Sequence, residues 1–124
     1  MYGPKVLLIC GYPVEERNVL LDLIYKTGLT GFRIVFASSG DLDRGLGEIL
    51  QHEDRAGIDE DSTMPRAVIM SGLKQKELHN LMAAYRKGGF PRQIWATLTP
   101  VSEKWSLEKL LKELESEDLA MKRR

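Results

Sequence analysis

A chain of 124 residues with 43% apolar content fits one soluble domain with enough length to bury a core. Its 18 basic and 18 acidic residues cancel, which argues against a surface built for nucleic acid or an anionic membrane. One cysteine excludes an internal disulfide and a thiolate metal cage.

Met1 to Lys5 lacks a signal-type pattern, and no apolar run approaches the ~20 residues of a membrane helix. The expected compartment is therefore the cytoplasm. Val6 to Cys10 is a continuous apolar run and reads as a buried central strand. Gly11-Tyr12-Pro13 turns the chain into a first helix, expected from Pro13 to Thr27. Pro13 suits its first position, and Glu15 and Glu16 favour its first turn. Phe32 to Ala37 is the second strand, and Arg33 within it points to a sheet edge.

Asp41 is placed to cap a second helix carrying Leu42, Leu46, Ile49 and Leu50, weakened by Gly45 and Gly47. Asp54 to Pro65 is polar and acidic and is expected to be a mobile loop. Ala67 to Met70 is a third strand ending at Ser71-Gly72. Leu78, Leu81, Met82 and Tyr85 then mark the cleanest helical pattern in the chain. Gly88-Gly89 ends it.

Ile94 to Leu98 reads as a fourth strand, stopped by Pro100. Ser106 is placed to cap a last helix with Leu107, Leu110, Leu111 and Leu114 on one stripe. Trp105 and Leu110 have the spacing of a hydrophobic staple. Residues 120–124 are expected to fray.

The stretch Ala96 to Glu117 carries Thr99-Pro100, Trp105, Leu110-Leu111 and late glutamates. In that pattern it resembles DUF3783, a bacterial domain of unknown function, number 3783. The family often has asparagine where this chain has Ser102. The resemblance implies a bacterial relative and brings no activity with it.

Strand and helix alternate four times. That predicts a single three-layer α/β domain over residues 1–124, with four mainly parallel strands in the order 2-1-3-4. The shape would be a truncated flavodoxin-like or receiver-like sheet. The alternative is a ferredoxin-like α+β sheet. The receiver comparison also suggests a cis Thr99–Pro100 bond, yet the carboxylates that hold magnesium and take the phosphoryl group are missing. Cys10, Gly11 and Tyr12 offer none, and Ser71 stands where the phosphoacceptor would be.

Parallel strands would present their carboxyl ends on one edge, where ligands bind. The expected surface there comprises Gly11, Tyr12, Ser71, Gly72, Thr99, Pro100, Val101, Ser102 and Trp105. Cys10 is a candidate reactive thiol, although a lone cysteine in such a run more often packs in a core. His52 and His79 show no metal-ligand spacing, and the acidic run Asp59 to Asp61 reads as a solvated loop. No catalytic residue, metal or cofactor is expected. The expected function is a non-catalytic interaction or regulatory module for an unknown protein or small ligand. The alternative is a small enzyme using Cys10 and the hydroxyl-lined sheet edge.

Overall fold

A computed structural model describes residues 2–122, with side chains described as far as Leu119. In chain order it contains β1 (Val6–Cys10), α1 (Val14–Lys26), β2 (Arg33–Phe36), α2 (Leu46–Ile49), β3 (Ala67–Ser71), α3 (Gln75–Lys87), β4 (Ile94–Thr97) and α4 (Leu107–Lys122). Short 3-10 turns at Ser39–Asp41 and Ser102–Lys104 complete it. The strands form one sheet in the order β2-β1-β3-β4. α4 continues through Lys122 into the segment expected to fray, and residues 123–124 of that segment lie outside the described residues.

The order of strands is the expected one, but the sheet is mixed. β2 runs parallel to β1, and β4 runs parallel to β3. The central pair, β1 and β3, is antiparallel, with Cys10 opposite Ala67 and Val6 opposite Ser71. The cause lies in the connection from β2 to β3. α2 is only four residues long, too short to serve as a full crossover. Beyond it the chain climbs back along the outer edge of β2. The Arg55 amide donates to the Ile34 carbonyl at 2.6 Å, and the Phe36 amide donates to the Ala56 carbonyl at 2.9 Å. The Asp54 carboxylate accepts the Ile34 amide at 2.7 Å. This climb delivers the chain to the edge where β1 ends, so β3 starts there and runs the other way.

Both faces of the sheet are covered, because side chains alternate along each strand. Leu7, Ile9, Ile34, Phe36, Val68 and Met70 face α1 and α3, where Leu20, Leu21, Ile24, Leu81 and Tyr85 meet them. Val6, Leu8, Cys10, Val35, Ala67 and Ile69 face α2 and α4, where Leu46, Ile49, Leu107, Leu110 and Leu111 meet them. Three layers are thus present. No helix among the described residues is long and apolar enough to cross a membrane.

The last helix starts as its residues predict. Ser106 Oγ accepts the Lys109 amide at 3.1 Å. Trp105 packs against the cluster that holds Leu110, and the Lys109 ammonium lies 4.7 Å from the Trp105 ring centre. The second helix departs from expectation. Gly45 is extended and bridged to Ser106 in α4's approach, so helical backbone begins only at Leu46. Asp41 serves the preceding turn instead, accepting the Ser38 amide at 3.0 Å.

Candidate functional site

The antiparallel β1–β3 pair divides the surface expected on one edge. Gly11 and Tyr12 follow β1 at the upper edge of the sheet, beside the starts of β3 and β4. Ser71 ends β3 at the lower edge, beside the start of β1, and Gly72 and the segment 99–105 follow β3 and β4 there. A sheet with an antiparallel central pair has carboxyl ends on both edges, so these residues do not form one rim.

The lower group is largely occupied by local structure. Thr99 and Ser102 bond one another. The Thr99 amide donates to Ser102 Oγ, and the Ser102 amide donates to Thr99 Oγ1, both at 3.0 Å. Pro100 and Val101 lie within this turn, and the Thr99–Pro100 bond is trans, against the cis expectation. Gly72 has φ +74°, and a Cβ there would lie 2.7 Å from the Pro4 carbonyl. Ser71 is buried, with its hydroxyl unpartnered under Gly3. Val101 is 63% exposed, and the nearby Tyr2 hydroxyl donates to Glu103 at 3.0 Å.

Cys10 is wholly buried among the apolar residues of the α2–α4 face. Burial, with a smaller contribution from the negative charge of Asp41, pushes its thiol up to about 12. It is a protonated core thiol at neutral pH. Gly11 beside it also serves the fold. At φ +74°, a Cβ on Gly11 would lie 2.4 Å from the Met64 and Pro65 carbonyls, which cross over the end of β1.

The upper edge holds a polar cluster that the sequence did not announce. Arg66 and Gln93 each stand one residue before a strand. Parallel pairing of Ala67 with Ile94 brings them together, and the Ile94 amide donates to the Arg66 carbonyl at 3.1 Å. Arg66 Nη2 donates to Glu16 of α1 at 2.8 Å, and its guanidinium lies 4.9 Å from the Tyr12 ring centre. The Tyr12 hydroxyl lies 2.7 Å from the Tyr85 hydroxyl and also bonds the Gln93 amide oxygen. Tyr85 donates to the Pro91 carbonyl at 2.5 Å. Burial, reinforced by the hydrogen bond to Tyr85, pushes the Tyr12 phenol well above its ordinary value. Burial also raises Tyr85. Both are therefore protonated at neutral pH.

Three contacts share two phenolic protons, because each tyrosine donates once. If Tyr12 donates to Tyr85 and Tyr85 to Pro91, nothing is left for the contact with Gln93. Turning the Gln93 amide over resolves this, since its NH2 then donates to the Tyr12 oxygen. The other end of that amide is buried and unpartnered, as is Arg66 Nη1. Both residues line a pocket of about 350 Å³ that opens beside α4. Pro65, Ile94 and Leu119 form its apolar walls, and Arg92, Glu115 and Asp118 stand around it. Arg92 holds Asp118 at 2.7 Å.

One further polar anchor supports the upper edge. Arg17 of α1 is 2% exposed. Its Nε donates to the Tyr12 carbonyl at 3.1 Å, Nη1 to the carbonyls of Gly57 and Ile58 at 2.8 and 2.5 Å, and Nη2 to that of Glu60 at 2.8 Å. The acidic loop expected to be mobile is thus tied to α1 through a buried arginine. A signal for Arg17 was present. It falls four residues before Leu21 and seven before Ile24, on the apolar stripe of its helix. Arg66 and Gln93 had no comparable signal, since a polar residue before a strand is ordinary.

The fold and its upper edge define a small three-layer α/β domain with a mixed sheet and a polar pocket at the starts of β3 and β4. Residues 66–121, from β3 through most of α4, match the model of the family described as a domain of unknown function, DUF3783. The match covers just under half of the chain and includes Arg66, Arg92, Gln93, Glu115 and Asp118, whereas Tyr12, Glu16 and Arg17 lie outside it. No curated protein and no solved structure matches the chain.

Proposed function

We propose that this protein is a non-catalytic binding or regulatory module that receives a small ligand in the pocket at the upper edge of the sheet. One observation carries the reading. Arg66 and Gln93 each keep a buried polar end without a partner beside an open pocket. An unmet buried polar group costs about 1–3 kcal/mol, so a ligand that meets both gains about that much from each. The rest of the cluster holds these two side chains in place through Glu16, Tyr12 and Tyr85. The alternative, an enzyme using Cys10, asks a fully buried thiol held at about 12 to act as a thiolate, and we do not adopt it.

Thermal unfolding followed against a library of small metabolites tests the reading. A binder should raise the melting temperature of the native protein and have no effect on Arg66→Met. If the shifts persist in that variant, the site lies elsewhere.

A second reading keeps the lower edge as a partner surface. It is favoured by the exposed Val101, which precedes the 102–104 turn, and the exposed Tyr2, whose hydroxyl donates to Glu103 within it. Val101→Asp should then abolish partner recovery without lowering stability.

A further inference from the structure

Resting on the pocket reading, we propose that the ligand is a free, small apolar amino acid, bound through both its carboxylate and its ammonium group. The chemistry of the two unpartnered ends carries this. Arg66 Nη1 is a donor and requires an acceptor, for which a carboxylate oxygen is the strongest match. Its other amino group is fixed on Glu16 and the guanidinium carbon lies 4.9 Å from the Tyr12 ring centre, so the donor is held in place before a ligand arrives. Gln93 is 8% exposed. With the amide orientation that the two tyrosine protons require, its unpartnered end is the oxygen, an acceptor. A lone carboxylate would satisfy Arg66 and leave Gln93 unmet. A lone amine would do the reverse. A zwitterion meets both.

The surroundings agree with a doubly charged guest. Arg66 is paired with Glu16 and Arg92 with Asp118, so these four charges balance. Glu115 also lines the pocket and makes no ion pair among the described residues, which adds a negative charge to the pocket wall. Pro65, Ile94 and Leu119 offer apolar contact to a short aliphatic side chain. A volume of about 350 Å³ lies at the small end of ligand pockets and suits an amino acid better than a nucleotide.

The test uses the full chain, with nitrogen-labelled glutamine side chains observed by NMR. L-valine is the principal probe. Isovalerate lacks its ammonium group, and isobutylamine lacks its carboxylate. We expect L-valine to move the Gln93 side-chain amide signal saturably. Each truncated analogue should bind at least about tenfold more weakly, the equivalent of one lost charged contact. Glu115→Gln, a change at an exposed position, should weaken valine about fivefold or more and leave isovalerate unchanged. Equal binding of valine and isovalerate would overturn the zwitterion and keep the pocket. So would a ligand of another class that moves Gln93 and fails in Arg66→Met while no amino acid binds. If no compound moves the Gln93 signal, Arg66 and Gln93 satisfy one another internally, and the inference falls together with the pocket reading.

Discussion

Nη1 of Arg17 donates to the Gly57 carbonyl at 2.8 Å, joining the first helix to a loop 40 residues further along the chain. The same guanidinium reaches Ile58, Glu60 and Tyr12, so one buried cation meets four backbone carbonyls. Its Cζ also lies 5.4 Å from the Phe36 ring centre. Burial pulls this arginine down from its ordinary value, and the negative charges of Asp61, Asp59, Glu15 and Glu60 work against that pull. The loop that carries the chain from β2 to β3 is thereby fastened to the upper edge.

Arg17→Met should therefore destabilise the protein by about 2–4 kcal/mol. It keeps the packed stem and strands buried carbonyls without donors. Urea unfolding measures the loss. Limited proteolysis should show new cleavage near residues 57–61. Wild-type stability and cleavage pattern would mean that the hydrogen bonds to the loop contribute nothing.

The glycines at the turns separate into required and dispensable. Gly11→Ala places a methyl 2.4 Å from two carbonyls at φ +74°, so a loss of about 3 kcal/mol or more is expected. Gly40→Ala meets nothing closer than Ser38 Oγ at 3.9 Å and should change stability by less than about 0.5 kcal/mol. Thermal melts of the two variants, run side by side, check the contrast.

At the lower edge, Ser102→Ala and Thr99→Val should each cost about 1 kcal/mol, because each removes an oxygen that accepts the other's amide. The double variant should cost less than the sum, since both changes break one motif. Unchanged stability in both single variants would show that the two hydroxyls are free to serve a partner.

Cys10 and Tyr12 give the protein a defined weakness at alkaline pH. Both hold their protons more tightly folded than unfolded. Between about 9 and 12 the unfolded chain loses the cysteine proton while the folded chain keeps it. Stability is therefore fully present below 9 and falls as pH rises, by up to about 1.4 kcal/mol per unit for each such group. Tyr12 joins above 10. Denaturant titrations across this range should show the decline. Cys10→Ala should make it shallower, although it lowers stability by removing packing. A thiol reagent at neutral pH should react at the rate of unfolding, whereas a fast reaction of the folded protein would contradict the buried thiol.

The sequence alone determined the four strands, three of the four helices and the two buried faces. Val6 to Cys10 announces a strand buried on both sides because every residue is apolar, and β1 is buried throughout. Ser106, Trp105 and Leu110 announce a helix start because a cap and a staple act within one turn, and the cap bond is present. These signals are local, and local propensities decide them.

Strand direction and the site were decided by tertiary structure. The climb of residues 54–56 along β2 depends on carbonyls and amides of another strand, and no side-chain pattern in Asp54 to Pro65 records it. That climb reversed β3, which separated Gly11 and Tyr12 from Ser71 and Thr99. The same reversal set the starts of β3 and β4 beside the end of β1, bringing Arg66 and Gln93 to Tyr12. Residues distant in sequence meet there only through strand register, which backbone hydrogen bonds fix once the whole sheet is assembled.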